Sequence, residues 1–184
     1  MKRLAVCLAF LFLTGCADSS ELREGMELRS RILQSSECSF SVTIQADYGD
    51  SLSEFSMDCT ADGKGNVGFT VTAPESIAGI SGTLSGSGGT LTFDGTALDF
   101  GYLAEGELSP VSSPWIFLNT LRSGNITSAC KEEEKIRLSV NDSYEEDALR
   151  LDIWLDESNL PVFADVLCNG RRILALTVRN FRIL

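Results

Sequence analysis

The sequence predicts an α+β protein, a curved and incomplete antiparallel β-barrel of about ten strands with a helical lid. Apolar and polar residues alternate along most of the chain, which is typical of strands that bury one face. Turn signals separate these runs, and two of them, Asp94-Gly95 and Asn169-Gly170, favour tight hairpins. Two further segments have helical spacing and are apolar enough to cover the sheet.

The first helix is predicted over 21–36, because Leu22, Met26 and Leu33 recur at helical spacing. Gly25 weakens this helix by about 1 kcal/mol. The second helix is predicted from Pro114, after a serine cap, to the glycine at position 124. The strands lie between the two helices and after the second one. The glycine-rich stretch 79–89 is interpreted as strands that bend at the rim of a curved sheet.

The N-terminal segment 1–15 has the composition of a secretory signal peptide. Lys2 and Arg3 form a basic start, and an apolar run follows over 4–13. This run is shorter than the roughly 20 residues that a membrane-spanning helix needs. A signal peptide is therefore favoured over a membrane anchor, and export from the cytoplasm is expected.

The sequence Leu-Thr-Gly-Cys at positions 13–16 resembles the bacterial lipobox, in which the cysteine receives acyl chains and becomes the first mature residue. This pattern predicts lipidation of Cys16, a short tether over 16–20 and a folded domain over 21–184. The acyl chains are expected to hold the protein on the lipid bilayer, at the extracytoplasmic face of the cell membrane.

The composition restricts the function. The formal net charge is −11, which argues against nucleic-acid binding. The chain has no histidine, so catalytic sites that need one are excluded, as are histidine-based zinc sites. The acidic loops 132–134 and 142–147 lack the spacing of a calcium loop and are interpreted as solvated charge. No catalytic residue, metal or cofactor is expected, and an enzyme is disfavoured.

Four cysteines remain after Cys7 is removed with the signal and Cys16 is acylated. An even number in an exported domain favours disulfides. The four candidates are Cys38, Cys59, Cys130 and Cys168.

The strand pattern predicts how these cysteines pair. If Phe40 lies opposite Met57 in the first hairpin, Cys38 lies opposite Cys59, and a disulfide between them is predicted, with reduced thiols as the alternative. The other two candidates fall at opposite edges of a simple meander. They either pair when the barrel curls or leave a thiol for a disulfide-linked dimer or a partner.

Several stretches resemble the LolA/LolB-like superfamily of lipoprotein carriers and lipid-binding proteins. They are 71–80 (VTAPESIAGI), 91–95 (LTFDG), 151–156 (LDIWLD) with 159–162 (NLPV), and 180–183 (NFRI). The resemblance implies an unclosed barrel with a helix lid over an apolar cavity for acyl chains or lipid-modified proteins. The germination lipoproteins of spore-forming Firmicutes are the nearest comparison. The soluble carrier has a cavity arginine on its first strand, and Phe40, Val42, Ile44 and Ala46 offer none here.

The hypothesis is therefore a non-enzymatic lipoprotein that binds a hydrophobic ligand or a lipidated protein. The alternative is a filled-core module that docks a protein partner in envelope or spore assembly or in germination. Trp154, on a polar strand face, is either exposed for a partner or covered by a loop. The candidate cavity residues are Phe40, Val42, Phe55, Met57, Phe69, Val71, Leu91, Phe93, Trp115, Phe117 and Leu118, and the alternative is that they fill a core.

Overall fold

A computed structural model describes residues 20–47, 49, 52–101, 103–104, 107–145 and 148–184. The predicted signal peptide and Cys16 lie outside these residues. Helix α1 spans Ser20–Gln34 and helix α2 spans Ser113–Ser123. The strands are β1 Glu37–Asp47, β2 Leu52–Asp62, β3 Val67–Ala73, β4 Ser81–Ser85, β5 Gly88–Phe93, β6 Thr96–Phe100, β7 Leu103–Ala104, β8 Glu107–Leu108, β9 Asn125–Glu132, β10 Lys135–Asn141, β11 Arg150–Leu155, β12 Pro161–Cys168 and β13 Arg171–Ile183.

The predicted fold class is confirmed. Eleven of the strands form one antiparallel sheet in the order β6-β5-β4-β3-β2-β1-β13-β12-β11-β10-β9, and β7 pairs with β8 separately. The sheet is curved and unclosed, and two short helices accompany it. The last strand pairs with the first, so the chain consists of two meanders joined side by side. Cys130 on the edge strand β9 and Cys168 on β12 lie in the same meander, with β10 and β11 between them.

Two hairpins turn as predicted. Asp94 and Gly95 connect β5 to β6 with positive φ values of 47° and 75°, and Asn169 and Gly170 connect β12 to β13 with 49° and 76°. Positive φ at both central residues is the requirement of a type I′ turn, which Asn-Gly and Asp-Gly meet at low cost.

Helix α1 packs closely on the sheet through Gly25. A Cβ atom at this position would lie 2.9 Å from Cδ1 and Cδ2 of Leu138 on β10. One and two turns later, Leu28 and Ile32 are fully buried. The glycine that weakens the isolated helix thus permits its close approach to β10.

Helix α2 begins and ends near the predicted residues. Pro114 lies in its first turn, but Ser112 makes no side-chain cap bond; instead Ser113 Oγ donates to the Pro110 carbonyl at 2.8 Å. The N–H of Gly124 donates to the Thr120 carbonyl at 2.8 Å and ends the helix. Ile116, Phe117, Leu118 and Leu121 are buried.

Candidate functional site

The predicted cavity residues divide into two groups. Eight of them are at most 9% exposed and belong to one continuous apolar core. A core residue of this kind is in contact with neighbours on all sides. These eight are Phe40, Val42, Phe55, Met57, Phe69, Val71, Phe117 and Leu118.

Aromatic rings fill the space between α2 and the central strands. The ring of Phe40 lies edge-on to that of Phe117, with centroids 5.8 Å apart, and stacks on Phe181 at 5.5 Å. Phe117 and Phe181 are 6.4 Å apart and nearly perpendicular. These are the preferred geometries of aromatic pairs. This part of the sheet therefore has a packed interior.

Phe181 was not among the candidate residues. The pairing of β1 with β13 shifts register between Ser39 and Ser41, next to Asn180, whose φ is 54°. At this irregularity the Phe181 ring lies against Phe40. The apolar side chain between Asn180 and Arg182 was the available signal, but only the pairing of the last strand with the first places it in the core.

The other three candidates are less buried than these eight. Leu91 and Trp115 are half-buried, and Phe93 is 52% exposed, so Phe93 lies outside the core. We call the strands β4, β5 and β6 the arm. Leu98 on β6, which was not a candidate, is 64% exposed and pairs with Leu91.

The arm continues the apolar face of the core. Phe69 on β3 lies opposite Gly82, Gly82 lies opposite Leu91, and Leu91 lies opposite Leu98. Directly opposed residues in antiparallel strands point to the same face of the sheet. The core face therefore extends outward until its apolar side chains are exposed at Phe93 and Leu98.

Two glycines of the arm leave room for aromatic rings. A Cβ atom on Gly82 would lie 2.8 Å from the ring of Phe69, and one on Gly89 would lie 2.5 Å from Cζ of Phe100. The rings occupy the space that larger side chains would take. This close approach gives a physical reason for the glycine-rich sequence of the arm.

The predicted Cys38–Cys59 disulfide is wrong. Cys38 lies opposite Ala61, and Cys59 lies opposite Phe40, so the hairpin register differs by two residues from the expected one. All four described cysteines are free, the first two buried and Cys130 and Cys168 half-buried. Burial first, and then the charge of Asp58, raises the pKa of the Cys59 thiol, which therefore stays protonated.

Trp154 is half-buried on the outer face of the sheet. Its indole N–H donates to Oε2 of Glu132 at 2.8 Å, and Oε1 of Glu132 lies 3.1 Å from Nη1 of Arg137. The hydrogen bond from Trp154 also holds the side chain of Glu132, one of the acidic residues of the loop 132–134. The indole edge is therefore held by the neighbouring strands.

A polar network surrounds Asp152 on this outer face. Asp152 is 6% exposed, and its carboxylate accepts hydrogen bonds from Ser139 Oγ at 2.7 Å and from Arg150 Nη2 at 2.8 Å. Burial acts to raise its pKa, but the hydrogen bonds from Arg150 and Ser139 outweigh it, so the pKa is lowered. Across 20–184, in the described part of the chain, no group of three or more acidic or cysteine side chains is arranged to hold a metal.

No protein-family model and no curated protein matches the chain. Among solved structures, an uncharacterized conserved protein from Thermus thermophilus matches with a TM-score of 0.48 and 11% identity, over 86% of each chain. A LolA superfamily protein from Nitrosomonas europaea matches with a TM-score of 0.45 and 10% identity, over 87% of this chain and 93% of that one. A chain of the Clostridioides difficile complex of CwlD amidase with the GerS lipoprotein matches with a TM-score of 0.45 and 13% identity, over 90% and 97%.

The likeness to these structures is one of overall fold. Among the described residues, neither helix is both long and apolar enough to cross a membrane.

Proposed function

We propose that this chain is a non-enzymatic lipoprotein, anchored at the extracytoplasmic face of a cell membrane by acylated Cys16, which binds a hydrophobic group on the apolar face of its arm. The bound group is an acyl chain, free or attached to another lipoprotein. The Leu-Thr-Gly-Cys sequence at 13–16 supports the anchor. The continuation of the core face to Phe93 and Leu98 supports the binding surface.

The exposure of Phe93 and Leu98 is the observation that carries this proposal. Full burial of a Phe or Leu side chain stabilises a protein by about 1.5–3 kcal/mol, and Phe93 and Leu98 lose roughly half of this because they are 52% and 64% exposed. Leu98 lies opposite Leu91 and Phe93 lies opposite Thr96, so Phe93 and Leu98 are diagonal neighbours across the β5–β6 hairpin on the face that Leu91 shares. Contiguous exposed apolar surface of this kind typically marks a binding site.

The packed aromatic rings favour a second candidate function. Phe40, Phe117 and Phe181 occupy the interior beneath α2, where the family resemblance implied a cavity. A protein with a filled core can use the same exposed arm to dock an apolar surface of a protein partner. The two candidates share the binding surface and differ in what it binds.

Native mass spectrometry of a chain that begins at Ala17 tests the first candidate. We expect bound mass after incubation with a long-chain fatty acid, and loss of that mass on denaturation. Changing Phe93 and Leu98 together to serine should abolish uptake, because both exposed apolar contacts are removed. Phe163→Ser is the matched control, since Phe163 is 47% exposed on the outer face of β12.

The result has two informative outcomes. Uptake that the arm variant loses and the Phe163 variant retains supports acyl-chain binding by the arm. A clean unbound mass for the unmodified chain, with fatty acid and with phospholipid, contradicts it and favours the protein-docking candidate. Anchoring is tested separately by the intact mass of the full-length protein purified from membranes, which should include acyl chains on Cys16.

A further inference from the structure

A groove of about 850 Å³ lies beside the first turns of α1, away from the arm. Leu22 and Met26 of α1 line one side of it, and Ile126 of β9 lines another. Two cationic side chains, Arg23 and Arg29, also line it. The described lining residues include no carboxylate, although the chain as a whole has a formal net charge of −11.

Arg29 is the central cation of this groove. Its Nε donates to the Leu121 carbonyl near the end of α2 at 2.7 Å, which fixes the guanidinium in place. Burial lowers its pKa, and the nearby Tyr144 acts in the opposite direction. Among the ion pairs of the described residues, none involves Arg29. The terminal nitrogens of a guanidinium are strong donors, so this half-buried cation favours an anionic ligand.

Arg23 adds a second positive charge at the rim. It pairs with Glu27 at 3.9 Å, but both side chains are more than 60% exposed. An exposed pair of this length contributes little, so Arg23 is free to approach an anion. The groove thus combines two cations with the apolar side chains of Leu22, Met26 and Ile126, which is the chemistry of an amphiphile site.

The position of the groove identifies the amphiphile. Ser20, the first residue of α1, lines the groove and follows the predicted lipidation site Cys16 by four residues. An extended chain covers at most about 3.6 Å per residue, so the groove lies within about 14 Å of the acylated cysteine. Acyl chains on Cys16 would therefore keep this groove at the membrane surface, among phospholipid headgroups.

We propose that the groove beside α1 binds the headgroup of an anionic phospholipid of the membrane that anchors the protein. Arg29 and Arg23 contact the phosphate, and Met26, Leu22 and Ile126 contact the upper part of the acyl chains. The location of the ligand rests on the proposed lipidation of Cys16. Because the overall charge repels anionic lipid, contact is confined to this groove, and the domain is held in one orientation on the membrane.

The test uses the full-length protein purified in detergent from expressing cells, with the soluble probes dihexanoyl phosphatidylglycerol and dihexanoyl phosphatidylcholine. Native mass spectrometry should show about tenfold tighter binding of the anionic probe. Arg29→Gln should remove this preference, and Arg23→Gln should reduce it. Arg31→Gln is the matched control, because Arg31 is on the same helix, is exposed and does not line the groove.

Equal binding of the two probes by the unmodified protein overturns the proposal, and so does equal loss of preference in the Arg29 and Arg31 variants. The arm variant, with Phe93 and Leu98 both changed to serine, should keep the preference, since the arm does not line the groove. The intact mass of the same sample reports acylation of Cys16. Failure of headgroup binding is thereby distinguished from failure of the anchor or of the arm.

Discussion

Two regions of the sheet bury their apolar faces to different degrees. In β1, Phe40, Val42 and Ile44 are at most 3% exposed, whereas in the arm Phe93 and Leu98 are 52% and 64% exposed. Both regions have antiparallel neighbours and alternate apolar with polar residues. The difference is in what lies over the face: Phe117 of α2 packs on Phe40 of β1, and α1 packs against α2, β9 and β10.

Two properties of a strand face are distinct: which side chains it contains and whether it is buried. Alternation decides which side chains share a face, because the period of a strand is two. Whether that face is buried depends on another layer placed against it. Here the helices and the β1–β13 pairing complete the core, and the arm extends past them with its apolar face partly open.

The largest predicted effect tests the covered region. Phe117→Ala should destabilise the fold by about 3–5 kcal/mol, because Phe117 is fully buried between Phe40 and Phe181 and its removal leaves a cavity. Urea unfolding followed by far-ultraviolet circular dichroism measures this change. The matched substitution in the arm, Phe93→Ala, should alter stability by only about 0.5 kcal/mol, the usual range for an exposed site. Similar losses in the two variants would show that the arm is covered as well.

The sequence was sufficient for the fold class and for local features with strong residue preferences. Asp94-Gly95 and Asn169-Gly170 turn as expected because few other residues adopt two successive positive φ values. The second helix ends at Gly124 as expected. The six buried cavity candidates on strands β1, β2 and β3 share one face, as the alternation indicated, but that pattern did not distinguish a cavity lining from a packed core.

Local sequence patterns did not predict the register of the first hairpin or the contacts between residues distant in sequence. Cys38 and Cys59 were expected to face each other, but the first hairpin pairs Asp47 with Leu52, which moves Cys59 opposite Phe40. A shift of two residues preserves the apolar face, so alternation alone cannot detect it. The groove around Arg29 likewise depends on residues from α1, β9 and the end of α2 that are distant in sequence.

The pH dependence of stability should come from the outer face of the sheet, outside the arm. Burial raises the pKa of Asp165 above the ordinary value of about 3.9, and the Arg172 guanidinium 3.6 Å away only partly opposes this. The folded state then binds a proton more readily than the unfolded state, so Asp165 makes stability rise as the pH falls through its raised pKa toward the ordinary value. Asp152 acts oppositely: its pKa is lowered, and the stability it contributes is lost as the pH falls below about 4.

Thermal unfolding between pH 3 and pH 7 measures these slopes for single variants. Asp165→Asn should reduce the rise just above pH 4, and Asp152→Asn should reduce the loss below pH 4. Asp99→Asn is the control in the arm, where the exposed Asp99 only accepts a hydrogen bond from Thr90 at 2.8 Å. A larger change in slope for Asp99→Asn than for Asp165→Asn would place the main titrating group in the arm instead.

Thiol labelling measures the smallest effect, the difference in accessibility among the four cysteines outside the arm. Cys38 and Cys59 are 2% and 3% exposed, while Cys130 and Cys168 are half-buried. A chain that begins at Ala17 should therefore bind two maleimide groups when folded and four after denaturation without reductant, since all four thiols are free. Mass spectrometry counts the labels directly. Only two labels after denaturation would mean that one pair is bonded, and rapid labelling of Cys59 in the folded chain would mean that the core opens more easily than its burial implies.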